Sequence, residues 1–407
     1  MAQLRTVTLG MPLDIANPAA TAGKVTAFFD GLEDLLYVMG LEARCFRYVA
    51  PPLSDGPHEL APEDFGRLAA ELETAFGDRI WCCLPGPVCA QDNDHDDDFA
   101  AVEAILTGTQ HVFSNAQVGH RGGLDNHGIA LAARTMARLA ESDTHQQANF
   151  RFAAIANVEP GTPFFPAAYH RGEPGFSIAL ELAEDFNRCA EKGETLAERL
   201  DACRQLLVQR VALSRQLAET YAWQTGIRFL GFDLSLAPFP GPDSSAVAVV
   251  EKLAGSRIGQ LDFLFSLYAL NDMLQHSIEG LPMVGFNGTM LSVLEDTRLA
   301  EAAADGEVSI KDLLLYATVC GCGLDMIPVA RDASAGQLAS LIRAIATIAQ
   351  KWRKPLLARI LPSSVDAAGY TRYQHDFLVN TRVLPLDGTA QVPVECFGFF
   401  HPLRRVA

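Results

Sequence analysis

The sequence predicts an α/β protein of parallel strands joined by crossover helices. Two observations carry that expectation. Short β-branched or aromatic runs alternate with longer stretches of helical periodicity from one end of the 407 residues to the other. The strand-like runs number ten, wide for an open twisted sheet, so closure into a ten-stranded α/β barrel is expected. No fixed-period repeat or long linker divides the chain, and residues 1–407 read as one large domain.

In chain order, "RTVTLGM" (5–11) is β-branched and ends at a glycine, and helical spacing follows over 24–40. "ARCFRYV" (43–49) leads to a helix over 63–77, which opens behind Pro62 and stops at Gly77. "RIWCCL" (79–84) precedes "CAQDNDHDDDFAAVEAIL" (89–106), where six carboxylates crowd a solvated loop that enters a helix over 98–106. The EF-hand glycine and terminal glutamate are missing, so this is not read as a calcium loop. "HVFSN" (111–115), "FRFAAIA" (150–156) and "FSIALEL" (176–182) are strands, with helices over 126–141 and 184–223. "IRFLGFDLSL" (227–236) is a strand carrying one acid, followed by helical spacing over 244–254, 262–277, 287–303 and 309–319. "LDMIPVA" (324–330), a helix over 335–352, "LLARILP" (356–362) and "VECFGFF" (394–400) complete the pattern.

The formal net charge is −17, which excludes the basic face that nucleic acid requires. The start "MAQLRTVTLGMPLD" has no signal-peptide pattern, and no apolar run reaches the ~18 residues of a membrane span, so a cytoplasmic location and no membrane partner are expected. Nine scattered cysteines, an odd count, read as reduced thiols; "CGC" and "CC" are too close-set for zinc. There is no nucleotide-binding, HExxH or GxSxG motif, and "GHRGGLDNHG" (119–128) has the wrong spacing for a phosphate loop.

Polar groups gather where strands run out into loops, which is where α/β folds place ligands. Asp233 and Ser235 stand at the end of an apolar strand, with Asp243 and Ser244 leading into the next helix. Loop 157–175 carries Glu159, His170, Arg171 and Glu173, and loops this long are more often functional than filler. "TVCGCGLDMIP" (318–328) brackets two glycines with Cys320, Cys322 and Asp325, and a catalytic Cys320 needs a neighbour that lowers its pKa. Arg359 lies inside an apolar strand and needs a carboxylate, with Asp233 or Asp325 favoured. The bland alternatives are a capping Asp233, an inert buried Cys320 and a purely structural Arg359–carboxylate pair.

Taken in order, "RTVTLGMPL", "NVEPGTPFFPAAYHRGE", "GFDLSLAPFPGPDSSAVAVVEKL", "CGCGLDMIPV" and "ARILP" resemble the blocks of the DUF711 family, also called UPF0210. The resemblance covers most of the chain and is most specific over 231–362. It implies a ten-stranded α/β barrel like that of pyruvate formate-lyase. It also aligns Asp233, Ser235, Pro238, Asp243, Ser244, Cys320, Gly323, Leu324, Asp325, Arg359, Pro362 and His170 with family positions. "NAQVG" (115–119) departs from the family's "SVNIG", and Arg171 stands where a glycine would follow His170, which marks a divergent member. A glycyl-radical reading of "AAGYTRYQHDF" (367–377) with Cys82–Cys83 as thiyl pair is set aside, because such enzymes are about twice as long, the Arg-Val before the motif's glycine is missing in "VDAAGY", and these segments fall outside the matching blocks.

The resulting expectation is a non-radical enzyme, lyase, isomerase or hydrolase, acting on a small polar, carboxylate-bearing metabolite inside the barrel. Asp233, Asp325, Cys320 and His170 are the candidate catalytic groups; Arg359, Ser235, Ser244, Glu159 and Glu173 are candidates for substrate binding. Asp233 and Asp325 are the residues to hold a divalent cation if one is used. A homo-oligomer is expected. The alternative is a non-catalytic metabolite-binding or regulatory protein, for which the family resemblance suggests a small ACT-type partner.

Overall fold

Period-two alternation decides this fold, because it sends neighbouring side chains of each strand to opposite faces of the sheet. The computed structural model describes residues 2–55, 60–88, 96–120, 122–142, 147–389 and 399–400. The strands are β1 (Ala2–Gly10), β2 (Leu41–Ala43), β3 (Phe46–Val49), β4 (Ile80–Cys83), β5 (Val112–His120), β6 (Gly123–Asp125), β7 (Phe152–Ala156), β8 (Gly175–Leu180), β9 (Arg228–Asp233), β10 (Gly323–Val329), β11 (Leu356–Pro362) and β12 (Phe399–Phe400). The helices are α1 (Pro18–Met39), α2 (Pro62–Phe76), α3 (Asp96–Gly108), α4 (Asn126–Ser142), α5 (Ala183–Cys189), α6 (Leu196–Thr225), α7 (Ala246–Ala254), α8 (Leu261–His276), α9 (Thr297–Asp305), α10 (Ile310–Ala317) and α11 (Ala335–Trp352). None among the described residues is long and apolar enough to cross a membrane.

The α/β class is as expected, but the sheet is mixed, in the order β10-β11-β7-β5-β4-β3-β1-β8-β9. Strands β1, β3, β4, β5 and β7 are mutually parallel and follow chain order. The pairs β8–β9 and β10–β11 are each parallel, and they meet the first group antiparallel at β1–β8 and β7–β11. Parallel pairing therefore holds within groups and not across the whole sheet. The two end strands share a neighbour: Met283 bridges Phe232 of β9, and Ser292 bridges Asp325 of β10.

One face of the sheet lies under the helices, where Tyr48, Ile80, Cys82, Val112 and Ile360 join the main core. The residues between them point the other way, so that Val49, Cys83, Phe113 and Leu361 form a second cluster. Cys82 and Cys83 consequently face opposite ways and do not form a thiol pair. The loop after β7 fills this second face, burying Phe164, Phe165, Ala167, Ala168 and Tyr169. Its carbonyls are met by side chains from the strands: Pro163 accepts from Thr8 (3.0 Å) and Arg47 (3.1 Å), and Pro166 accepts from Asn115 (2.6 Å). A loop can be buried only when its backbone is satisfied in this way.

Three expected elements change. The helix over 184–223 splits into α5 and α6 around a segment containing Gly193, whose φ is 105°. The helix over 287–303 begins only at Thr297, because Asn287 takes φ 52° and residues 282–293 run between β9 and β10. The strand over 394–400 lies outside the described residues except for Phe399 and Phe400.

Candidate functional site

Arg359, an arginine on an apolar strand, meets Asp325 from the neighbouring strand. Its Nε donates to Asp325 Oδ1 at 2.6 Å and one Nη to Oδ2 at 3.0 Å. The same Nη reaches Glu295 at 3.5 Å, while the other donates to the Phe150 carbonyl at 3.4 Å. The β10–β11 register shifts between Leu324 and Ile327, and Met326 takes φ 55°; this irregularity presents Asp325 to Arg359. Burial alone would lower the arginine's pKa, but Asp325 and Glu295 raise it further above its usual value. Burial pushes Glu295 up, Arg359 opposes that, and the nearby Asp325 adds to it.

Next to this cluster is a cavity of about 30 Å³ lined by Arg5, Arg44, Arg47, Glu295, Arg359 and a wall of aromatic rings. That is room for the head of a small anion. Arg5 and Arg44 both grip Glu181, at 3.2 and 3.1 Å. Arg44 also lies 4.1 Å over the Phe239 ring, and Arg5 donates to the Pro238 carbonyl at 2.8 Å. Arg47 differs. It sits between Trp81 and Phe165, 5.6 and 5.0 Å from the ring centroids, and its buried Nε has no partner. An unmet buried N–H costs roughly 1–3 kcal/mol, and a ligand acceptor would remove that cost. Glu181, Phe239 and Glu295 follow the carboxyl ends of β8, β9 and the bridging segment, while Arg5, Arg47, Trp81 and Phe113 lie toward the amino ends of β1, β3, β4 and β5, so the cavity sits at one end of the mixed sheet.

Asp233 is not in this cavity. Its Oδ1 accepts from the Ser235 amide (2.9 Å), the Ser235 hydroxyl (2.5 Å) and the Asn287 amide (3.1 Å); Oδ2 accepts from the Phe286 amide (2.8 Å). The carboxylate thus pins residues 285–288 against β9, and burial raises its pKa against those four bonds. Gly285, at φ 80°, lies so close that a Cβ there would collide with Asp233 Oδ2. Asp233→Ala and Gly285→Ala should each cost about 3 kcal/mol or more in urea unfolding. An unchanged midpoint in both would refute the pin. With Asp233 held by donors and Asp325 by a guanidinium, the pair does not form a cation site; no metal-ligand cluster occurs among the described residues.

The other candidates are dispersed. Cys320 is buried before the start of β10. The Cys322 thiol, then Lys354 and the amides of Gly323 and Cys322, lower its pKa to about 6 against burial. The electrostatics suit a reactive thiol, but 2% exposure denies it access. His170 packs on Gly10 at the far end of β1, pairs with the Gly172 carbonyl at 3.0 Å, and is held neutral by burial. Glu159 and Glu173 are exposed on the loop. Ser244 is half-buried in a short turn, and Ser245 caps α7. Of the candidates, the structure brings together Arg359 with Asp325 and Asp233 with Ser235, and of these four only Arg359 lines the cavity. Sequence reading missed Arg5, Arg44, Arg47, Glu181 and Glu295.

Comparison with known proteins is consistent with the sequence blocks. The family described as Uncharacterised ACR (DUF711) matches residues 80–372. A UPF0210 protein of Pyrobaculum arsenaticum is 29% identical over 244 residues, 58% of this chain and 54% of the relative, so the match spans about half that relative's length. One from Leuconostoc mesenteroides is 26% identical over 385 residues, 88% of this chain and 85% of its own. A solved anaerobic ribonucleotide reductase from Thermotoga maritima, with citrate in its active site, aligns over 88% of this chain and 79% of its own. Its identity is 9% and its TM-score 0.32, too slight a likeness to bear on fold or function.

Proposed function

The chain belongs to the DUF711 family, and from its arginine-lined cavity we propose that it is a non-radical enzyme acting on a small carboxylate-bearing metabolite. The observation that carries this reading is the buried Arg47 Nε without a partner, in a cavity that three further guanidinium groups line. The substrate carboxylate meets Arg47. Glu295, on the cavity wall and raised in pKa by burial, is the group suited to move a proton. Arg359, itself oriented by Asp325, holds Glu295 in place rather than touching substrate. The binding-protein reading has one observation in its favour: both oxygens of Asp325 and two nitrogens of Arg359 are already engaged in their own pair.

The same proposal takes the sheet as a closed barrel of ten staves in one domain, residues 282–293 being the tenth. Its support is the pair of parallel bridges from that segment to β9 and β10, with the hydrogen bonds Val284 N to Phe232 O (2.9 Å) and Val293 N to Asp325 O (3.1 Å). The catalytic claim is tested by incubating the protein with the acid metabolites of its producing cell and following them by mass spectrometry. One carboxylate should fall as a product rises, and Glu295→Gln should abolish that change. Retention of a carboxylate without conversion by either protein would leave the non-catalytic reading.

A further inference from the structure

Charge counting narrows the ligand. Four guanidinium groups line the cavity, on Arg5, Arg44, Arg47 and Arg359. Three carboxylates pair with them: Glu181 with Arg5 and Arg44, and Asp325 and Glu295 with Arg359. Four positive against three negative charges leaves one positive charge, and it resides on Arg47, which has no carboxylate partner among the described residues. Burial lowers the His375 pKa, so that ring, which contacts Phe150 and Phe377, adds no charge at neutral pH.

The remaining walls are the Cys45 side chain and five aromatic rings. Trp81 stacks on Phe113 at 5.2 Å and 21°, Phe113 meets Phe150 and Phe165 at 5.7 and 5.3 Å, and Phe377 closes edge-on against Trp81 at 5.1 Å. Ring faces of this kind offer no hydrogen bond to a second polar group. A second carboxylate would meet only these rings, Glu295, or guanidinium groups whose charge Glu181, Asp325 and Glu295 already offset, and burial without a free counter-charge costs several kcal/mol.

We propose that the cavity selects a monocarboxylate with an apolar, preferably flat, body: Arg47 takes the single charge inside the volume of about 30 Å³, and the body, too large for that space, lies along the half-buried rings of Trp81 and Phe377. This rests on the reading that the cavity is the ligand site, and it replaces the polar metabolite expected from the sequence with an apolar one. The surplus of one counts Glu295 as ionised, the form that Arg359 at 3.5 Å favours.

The test is calorimetric titration of the full chain at neutral pH with benzoate, acetate, succinate, inorganic phosphate and the neutral benzamide. Benzoate should bind about tenfold or more tighter than acetate, because its ring leaves water, and at least about tenfold tighter than succinate, phosphate or benzamide. Arg47→Met should remove the benzoate heat. Succinate or phosphate binding as tightly as benzoate, and lost in Arg47→Met, would overturn this inference while leaving the cavity as the ligand site. Failure of every anion to bind would overturn the site and the inference together.

Discussion

Replacing Arg359 with methionine is expected to lower the unfolding free energy by about 3–5 kcal/mol, the usual result of removing one partner from a buried ion pair. The Asp325 side chain is 5% exposed and that of Glu295 16%, so both carboxyls lose their counter-charge in a place water barely reaches. Asp325→Asn should cost less, because Arg359 keeps Glu295 at 3.5 Å and the Phe150 carbonyl at 3.4 Å. The pH dependence has a definite sign. Burial already raises Glu295, and removing the guanidinium raises it further. The folded variant then binds more protons than the unfolded chain, so its stability falls as pH rises above the ordinary carboxyl pKa of roughly 4. The deficit against wild type should be largest at neutral pH and smallest below about pH 4. Urea titrations across that range measure it, and a pH-independent deficit would mean that the loss is packing alone.

The alternation of strand and helix was legible because it depends on local periodicity. The strands around Arg359, Asp233 and Trp81 lie where their apolar spacing places them. The segment 286–296 was not legible: Phe286, Met290, Leu291, Val293 and Leu294 fit helical spacing, and partners outside the segment hold it out of a helix, Asp233 at the amides of 286 and 287, Asn271 at Thr289, Leu236 at Met290 and Asp325 at Val293. The site was half legible. An arginine inside an apolar strand signalled Arg359, and the same signal was present in "ARCFRYV" for Arg44 and Arg47 and in "LRTVTL" for Arg5. What the sequence does not carry is the antiparallel meeting of β1 with β8 and of β7 with β11, which assembles those arginines from strands remote in the chain. Asp233 shows the converse. A lone acid on an apolar strand resembled a reacting group, but its four donors come mostly from backbone amides, which side-chain patterns do not reveal.

The other large effect concerns Arg47. Its guanidinium is 8% exposed as a residue, held by the Pro163 carbonyl at 3.1 Å and by two rings, with Nε left for a ligand. Arg47→Met keeps much of the aliphatic length that packs between Trp81 and Phe165 and removes the charge. Losing one member of a buried charged hydrogen bond costs about 2 kcal/mol or more, so ligand affinity should fall at least about 30-fold. Stability should change little, since Thr8 still meets the Pro163 carbonyl and no carboxylate among the described residues loses its partner. Calorimetric titration of a monocarboxylate such as benzoate into wild type and Arg47→Met tests the central claim most directly. Saturable binding to the wild type that Arg47→Met abolishes, with the unfolding midpoint retained, is the predicted result; equal affinity in both proteins would contradict it.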